Sequence, residues 1–449
     1  MFRRILIANR GEVAARVLRT CRSMGVQVVA VASAADADHT WLSDVDEVVR
    51  IGPARASGSY LDQDALIEAA LATHCAAVHP GWGFLAENAT FAARCAAAGL
   101  TFIGPSPGDI RRFGDKALAR DTMAALGMPI IPGTREPVRT LAEARSEAER
   151  IGYPVLLKAV AGGGGRGMRA VDTPSELDAA WAEATAEAAA SFGDARVYIE
   201  RRIVGGRHVE VQVIADRFGT ALHLGERECS LQRRHQKVLE EAPSPGLPAA
   251  ERERILPLVA GVVARSGYRN AGTVEMLVDA DGKAWFMEMN TRLQVEHPVT
   301  EQITGVDLVE LQLRVAANER LPVRQSDVGF CGHAIEVRIN AEDPDAGFRP
   351  SPGRVRVLEF PEGEGVRVDT HLRTGDRIPP NYDSMVAKLI ISGSTREEAI
   401  ERLVAALDAT RIEGVTTNLS LHRRIVRWDP FRTGRYDTKS LERDLMGGA

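Results

Sequence analysis

Along the first 110 residues, short apolar runs alternate with stretches in which apolar residues recur every three or four positions. Arg4-Ile5-Leu6-Ile7-Ala8 reads as a buried strand and Glu12 to Met24 as an amphipathic helix. Val26 to Val31 is the next strand, Leu61 to Thr73 a second helix, and Ala76 to His79 another strand. Strands alternating with helices predict parallel βαβ units.

The pattern then changes. Helices are predicted over Glu143 to Arg150 and over the Ala-rich Pro174 to Ala190, with strands at Tyr153–Lys158, Met168–Val171 and Arg196–Glu200. Further strands are predicted at Val209–Ile214, Thr273–Val278 and Ala284–Asn290. The remainder opens with a strand, His333–Asn340, and continues with Gly/Pro turns, short strands and a helix near Arg396–Leu407. The expected organisation is a multidomain α/β and α+β chain. An N-terminal parallel βαβ domain would span 1–112, a central domain 113–330 with a lid over about 130–203, and a mixed, β-rich domain 331–449. A length of 449 residues fits about three domains.

Composition narrows the class. With 45% hydrophobic residues and a formal charge of −5, the chain is neither disordered nor a general polyanion binder, so no nucleic-acid partner is expected. No run approaches the ~20 apolar residues of a membrane span, and Ile5-Leu6-Ile7-Ala8 is too short for a signal-peptide core. Cys21, Cys75, Cys95, Cys229 and Cys331 form no CxxC pair. These features predict a reducing, cytoplasmic home without membrane association. Of 56 basic residues only six are lysines: Lys116, Lys158, Lys237, Lys283, Lys388 and Lys439. In such an arginine-biased chain, a retained lysine marks a candidate for work that needs a compact point charge. Lys283 and Lys439 sit in a turn and the tail and read as incidental.

The turn after the first strand, Asn9-Arg10-Gly11-Glu12, is not GxGxxG, and no GxxxxGK[ST] occurs, which disfavours a dinucleotide fold and a P-loop. Instead Ala161-Gly162-Gly163-Gly164-Gly165-Arg166-Gly167 joins two predicted strands, flanked by Lys158. Such a loop lets backbone N–H groups close over phosphates and predicts a mobile lid; a flexible linker is the bland alternative. Glu275 and Glu288 lie on strands flanking Asp279-Ala280-Asp281-Gly282-Lys283. If Asp279 pairs Ala284, the two glutamates face each other among apolar neighbours, a costly arrangement that a divalent cation would relieve. Asn290 could add a carbonyl ligand. Read as extended, Asn290, Arg292, Gln294 and Glu296 share one face: an anion grip followed by a candidate general base. A solvated polar face is the other reading. The basic cluster Glu226 to Lys237 reads as a solvated face or a nucleic-acid patch, the net negative charge arguing against the latter, with Cys229 a packed residue. Glu336, Arg338 and Asn340 alternate on one strand, where a structural Glu–Arg pair is a serious alternative to a functional Arg338. His79-Pro80-Gly81-Trp82-Gly83-Phe84 is a tight turn at a strand end, a place where α/β sheets bind ligands.

The lysine, glycine hairpin and paired glutamates resemble the ATP-grasp ligases. The strings Ile7-Ala8-Asn9-Arg10-Gly11-Glu12, His79 to Leu85, Gln232-Arg233-Arg234-His235-Gln236-Lys237, Glu288 to Pro298 and Arg338-Ile339-Asn340-Ala341-Glu342-Asp343 resemble the biotin carboxylase family over nearly the whole chain. The resemblance implies a central ATP-grasp domain with a glycine-rich lid. It implies that Lys116, Lys158, Gly164, Gly165, Glu200, Arg201, Arg202, Ile203, His208, Gln232 and His235, with Glu275 and Glu288, bind ATP. It further implies that Glu275, Glu288 and Asn290 hold two Mg²⁺ or Mn²⁺ ions, and that Lys237, Arg292, Gln294 and the Val295 backbone bind bicarbonate. Lys237, Arg292, Glu296 and Arg338 would be catalytic, with Glu296 as base, and Arg338 and Trp82 would contact biotin. Trp82 stands where the family usually has tyrosine, and Ala161 where it often has glycine.

No lysine follows a methionine, so biotin is expected on a separate carrier protein rather than on this chain. The implied partners are a biotin carboxyl carrier protein, carboxyltransferase subunits and a second copy of the chain as a homodimer, in the setting of acetyl-CoA carboxylase and fatty acid biosynthesis. Propionyl-CoA, methylcrotonyl-CoA, pyruvate or 2-oxoacid carboxylation share the same half-reaction and stay open. A carboxylate–amine ligase and a non-catalytic nucleotide-binding regulator are more distant readings.

Overall fold

Residues 1–160, 167–192 and 194–447 are described in a computed structural model. The chain divides into two compact units: one made of Met1–Met128, Arg207–Met276 and the stretch from Glu288 onward, the other of Pro129–Gly206 and Leu277–Met287.

The first unit begins with the expected parallel sheet. Strands β1 (Arg4–Ile7), β2 (Gln27–Ser33), β3 (Glu47–Gly52), β4 (Ala77–His79) and β5 (Thr101–Phe102) lie in the order β3-β2-β1-β4-β5. Ile5 pairs with Val28 on one side and Ala77 on the other. Helices α1 (Gly11–Ser23), α2 (Gln63–Ala72) and α3 (Ala89–Ala97) make the crossovers. The turns at the carboxyl ends of β1 and β4 are tied together: Asn9 Nδ2 donates to the carbonyls of Pro80 at 2.6 Å and Trp82 at 2.8 Å. Gly81 has a φ of 63°, and a Cβ there would meet Val13 Cγ2 at 2.5 Å, so the turn requires glycine. Trp82 is thereby held at the sheet edge where α/β folds bind ligands. Helices α4 (Pro107–Gly114) and α5 (Lys116–Ala125) follow.

The functional residues sit on an eight-stranded sheet. Its members are β9 (Arg207–Ala215), β10 (Ala221–Arg233), β11 (Gln236–Ala242), β12 (Asn270–Val278), β13 (Ala284–Asn290), β14 (His333–Asn340), Val366–Thr370 and Met385–Gly393. They run in the order β13-β12-β9-β10-β11-β14, then Met385–Gly393 and Val366–Thr370. The pairing of β11 with β14 joins the strands of residues 207–290 to those beyond 331 in one ladder. Leu231, Leu239, Ile335, Val337, Leu389 and Ile391 form its fully buried apolar layer, on which the helix Arg396–Ala409 packs through Ile400, Leu403 and Leu407. Helices α8 (Ala249–Ser266) and α9 (His297–Thr304) belong to the same unit.

In the second unit, β6 (Val155–Ala159), β7 (Met168–Val171) and β8 (Val197–Arg201) form an antiparallel sheet in the order β7-β6-β8. Helices α6 (Leu141–Ile151) and α7 (Leu177–Phe192) pack through Ala144, Ala148 and Leu177 onto Val155, Leu157 and Ile199. The register pairs Lys158 with Met168, so the glycine-rich segment joins two strands as expected. Ala161, Gly164, Gly165 and the mobility predicted for that loop lie outside the described residues.

One buried ion cluster fixes the β11–β14 pairing. Glu241, fully enclosed, accepts from Arg396 Nε at 2.7 Å and contacts His333 Nε2 at 2.7 Å and the Tyr436 hydroxyl. Burial alone would raise its pKa, but the bonds from His333 and Arg396 outweigh it and bring the carboxyl down to about 2. A depressed carboxyl pKa stabilises the fold above its unfolded value near 4.5, and that contribution is lost as pH falls toward 2. Glu241→Gln is expected to cost about 3 kcal/mol in urea unfolding at pH 7, because it leaves the half-buried Arg396 without a carboxylate partner. It should also remove part of the stability loss between pH 4.5 and 2; an unchanged pH slope would exclude Glu241 as its source.

Candidate active site

The alternation His208, Glu210, Gln212 on β9 puts three polar side chains on one face of a strand buried on both sides. Arg227 on β10, without solvent exposure, donates to Glu210 Oε1 at 2.6 Å, Gln212 Oε1 at 2.7 Å and Thr300 at 3.0 Å. Lys237, at the start of β11, brings its ammonium to three carboxylates: Glu210 Oε2 at 2.6 Å, Glu296 Oε1 at 2.6 Å and Glu275 Oε1 at 3.1 Å. Burial of an ammonium costs several kcal/mol. Here burial would lower the Lys237 pKa, but Glu210 and Glu296 hold it well above its ordinary value, so the charge is retained. Lys237 owes its position to a two-residue hairpin with Gln232 paired to Lys237 and Arg233 to Gln236. Its central residues, Arg234 and His235, both have positive φ, 46° and 66°. Asn-Gly is the usual choice for such a turn; large side chains there are strained, a feature that clusters at functional sites.

Glu275 on β12 is buried against Lys237, His208 Nε2 at 3.3 Å, Asn290 Nδ2 at 2.8 Å and Gln294 Nε2 at 3.3 Å. Burial pushes its pKa up, and Lys237 and His208 pull it below the usual carboxylate range. Glu288 on β13 is a third exposed and pairs instead with Lys116 on α5 at 2.8 Å. The hairpin between them differs from the expected one. The Asp279 N–H bonds the Lys283 carbonyl at 3.0 Å, and residues 279–283 form the loop, so Asp279 does not pair with Ala284. The loop is thus five residues rather than four, yet the strands are neighbours and Asn290, two residues beyond Glu288 on β13, reaches the Glu275 carboxylate at 2.8 Å.

The segment after Asn290 also departs from the expectation. It leaves the strand, and Val295 and Glu296 form a turn into α9, which starts at His297 with Pro298 in its first turn. Proline fits the first turn of a helix, and this ends the extended chain early. The polar residues still converge, but through a bend. Arg292 Nη1 donates to Gln294 Oε1 at 2.9 Å, its Nη2 to Asn290 Oδ1 at 3.3 Å, and its Nε to Glu87 Oε2 at 2.8 Å. Glu296, fully buried, lies between Lys237 and Arg338 Nη2, the latter at 2.8 Å. Burial would raise its pKa; Lys237 and Arg338 hold it well below the ordinary value.

Arg338 on β14 pairs with Glu240 and Glu296. The Glu336–Arg338 pair considered from the sequence is thus replaced by partners on β11 and in the turn. Glu240 and Glu336 face each other directly in the β11–β14 ladder, both fully buried. Burial raises the Glu240 carboxyl to about 7, with Glu296 adding to it and Arg338 opposing; burial also raises Glu336 well above its ordinary value. Trp82 lies with its ring centroid 5.8 Å from that of His297 and 4.9 Å from Lys388 Nζ.

The first unit therefore brings together Lys237, Arg292, Gln294, Glu296, Arg338, Glu275, Asn290 and His208. Gln232 pairs with Lys237 across the hairpin, while His235 lies exposed at its tip. In the second unit, Lys158 on β6 is ion-paired with Glu200 on β8, followed by Arg201, Arg202 and Ile203. The stretch Glu226 to Lys237 is split: Glu226, Arg227, Glu228 and Cys229 are buried, with Arg227 a linchpin, whereas Arg234, His235 and Gln236 are exposed. Sequence reasoning missed Glu210, Glu240, Glu87 and His297, and it marked Lys388 only by the scarcity of lysine, without a partner. The alternation of His208, Glu210 and Gln212 was the available signal for Glu210.

Comparison with known proteins gives these features a family. Residues 1–110 match the family described as the biotin carboxylase N-terminal domain, 115–324 the ATP-binding domain of the carbamoyl-phosphate synthase L chain, and 336–443 the biotin carboxylase C-terminal domain. Biotin carboxylase of Pseudomonas aeruginosa is 50% identical over 446 residues, 99% of each chain. Biotin carboxylase 1 of Bacillus subtilis is 48% identical over 449 residues, 100% of each. The biotin carboxylase domain dimer of Hydrogenobacter thermophilus 2-oxoglutarate carboxylase, solved with MgADP, ADP and bicarbonate, has a TM-score of 0.88 at 44% identity, covering 99% of this chain and 98% of that one. The chain belongs to the biotin carboxylase family and is an ATP-dependent ligase that forms a carbon–nitrogen bond on biotin.

Proposed function

We propose that the chain performs the first half-reaction of acetyl-CoA carboxylase, carboxylating biotin on a separate carrier protein at the expense of ATP and bicarbonate. The observation that carries the chemistry is Glu296 buried between Lys237 and Arg338. Bicarbonate binds to Lys237, Arg292, Gln294 and the Val295 backbone, and Glu296 takes its proton. ATP phosphorylates it to carboxyphosphate, a step that relies on charge neutralisation. Carboxyphosphate releases CO₂ and phosphate, the phosphate takes the N1′ proton of biotin, and the resulting enolate, held by Arg338 with Trp82 nearby, attacks CO₂ through N1′. The nucleotide draws on Lys116, His208, Gln232, His235, Glu275 and Glu288, and on Lys158, Gly164, Gly165 and Glu200 to Ile203.

Lys237 and Arg338 hold the Glu296 pKa well below its ordinary value. Flanked by two cations, the carboxylate is a weak base. When Lys237 turns to an incoming anion and Arg338 to biotin, Glu296 loses that stabilisation and becomes more basic. Each substrate thus activates the base by engaging its partner.

Glu275, Glu288 and Asn290 offer hard oxygen donors on neighbouring strands, a set that suits Mg²⁺, and Mn²⁺ by the same chemistry. Glu288 already attracts the Lys116 ammonium. When bound, the ions would neutralise phosphate charge. Glu288→Gln is expected to raise the Mg²⁺ concentration for half-maximal turnover by about 10–100-fold, the cost of disturbing a ligand sphere. A titration of activity against Mg²⁺ that leaves the midpoint in place excludes Glu288 as a ligand.

The proposed setting is fatty acid synthesis in the cytoplasm, with a biotin carboxyl carrier protein, carboxyltransferase subunits and a homodimer of this chain. The proposed domain limits are 1–112, 113–330 and 331–449. The similarity to a 2-oxoglutarate carboxylase domain favours a second reading, in which another acyl-CoA or a 2-oxoacid is the final acceptor. Affinity capture of the tagged chain from its own cells, followed by identification of the bound carrier and transferase, decides between them. Recovery with a transferase specific for a 2-oxoacid would overturn the acetyl-CoA assignment. The described helices include none long and apolar enough to cross a membrane.

A further inference from the structure

The turn that carries Val295 and Glu296 is gripped from behind by two side chains that play no part in the chemistry above. His297 Nδ1 lies 2.8 Å from the Gln294 carbonyl oxygen, which also accepts the His297 N–H at 3.3 Å. Lys388, fully buried on the strand Met385–Gly393, donates from Nζ to the Val295 carbonyl at 2.9 Å. We propose that His297 and Lys388 are positioning residues that clamp these two successive carbonyls and thereby aim the Val295 and Glu296 N–H groups at the bicarbonate. This rests on the assignment of bicarbonate to Lys237, Arg292, Gln294 and Val295.

The argument is geometric. Both peptide bonds are trans, and in a planar trans peptide the C=O and the following N–H point in opposite directions. Holding the Gln294 carbonyl on His297 sends the Val295 N–H away from His297; holding the Val295 carbonyl on Lys388 sends the Glu296 N–H away from Lys388. Neither N–H donates to an acceptor among the described residues. Two adjacent N–H groups left without a protein acceptor are available to an anion without breaking a hydrogen bond of the turn.

The clamp itself is fixed. Arg16 Nε donates to His297 Nε2 at 3.0 Å, and Arg16 is anchored to Glu301 at 2.6 Å and Asp307 at 3.0 Å. Nε2 therefore accepts, which leaves the proton on Nδ1, where it faces the Gln294 carbonyl. Burial, with Lys388, Arg16 and Arg367 nearby, keeps the His297 pKa well below its ordinary value, so the ring stays neutral in this tautomer. Lys388 is balanced by Glu12 at 3.1 Å and Asp369 at 3.8 Å. Its charge is spent on those carboxylates, and its contribution to the turn is one strong, charge-assisted hydrogen bond.

Steady-state kinetics of the full chain with free biotin test this, varying bicarbonate, ATP and biotin in turn. His297→Leu is expected to raise the bicarbonate KM about tenfold while the ATP and biotin KM stay within about twofold, a tenfold change being about 1.4 kcal/mol. His297→Asn keeps an N–H donor where Nδ1 stood and should recover most of that loss. Lys388→Met combined with Glu12→Gln, which removes both buried charges together, should raise the bicarbonate KM similarly. Gln294→Ala serves as the control. If it raises the bicarbonate KM and the His297 and Lys388 variants do not, the clamp is wrong and the bicarbonate site stands. If it leaves the bicarbonate KM unchanged, the site assignment fails, and the clamp with it. Should the variants not fold, amide hydrogen exchange of the wild-type protein with MgADP decides. Bicarbonate must slow exchange at Val295 and Glu296, and equal rates with and without it overturn the proposal.

Discussion

Replacing Glu296 with glutamine is expected to reduce bicarbonate-dependent carboxylation of biotin by about 10²–10⁴-fold, the usual contribution of a general base. The ATP KM should stay within about twofold. The substitution is nearly isosteric, and the amide oxygen can still accept from Lys237, so the loss would come from the missing proton acceptor rather than from collapse of the cluster. It does leave Lys237 and Arg338 with one negative charge fewer between them. The thermal midpoint of the variant therefore has to be measured alongside the rate. Because Lys237 and Arg338 hold the wild-type Glu296 well below the ordinary carboxylate range, it is ionised throughout the neutral region. Glu296 should then contribute no acid limb between pH 6 and 8 to kcat/KM, which reports the free enzyme. A rate within tenfold of wild type would assign the proton to another acceptor.

How far the sequence foretold this site can be judged residue by residue. The strands β13 and β14 were legible to the residue, β13 because an apolar run follows a turn and β14 because polar and apolar residues alternate along it. The anion-binding turn was legible in composition but not in shape: Arg292, Gln294 and Glu296 were grouped correctly, yet on an extended strand. Pro298 two residues beyond Glu296 was the available warning, since it favours a helix start at that point. The hairpin between Glu275 and Glu288 has a loop one residue longer than expected, because loop length is poorly fixed by an Asp-Gly alone. Scarcity of lysine pointed rightly to Lys237 and also singled out Lys388, but nothing local could say that Lys388 lies without exposure against a carbonyl 93 residues away. Such partners are set by tertiary packing. So are Glu240 and Glu336, which are separated by 96 residues and become neighbours only when β11 and β14 pair.

Arg338→Ala should separate the two halves of the reaction. Biotin carboxylation is expected to fall by about 10²–10³-fold, the cost of removing one donor that stabilises a developing oxyanion. Slow bicarbonate-dependent ATP hydrolysis without biotin should remain within a few-fold of wild type. The reason lies in the ion pairs. Arg338 touches Glu296 and Glu240, whereas Lys237 alone bridges Glu296 to Glu210 and Glu275. Removing Arg338 therefore leaves that ammonium and its three carboxylates in place. It also takes one cation from Glu296, which raises the basicity of that carboxylate. On the other side, Glu240 loses the group that opposes its protonation and, beside Glu336 in the ladder, should take up a proton at neutral pH. A neutral Glu240 limits the damage to the fold, so the variant remains measurable. Parallel assays of ADP formation with and without biotin read the separation directly. Equal loss of both activities would show that Arg338 serves the whole cluster and holds no special relation to biotin.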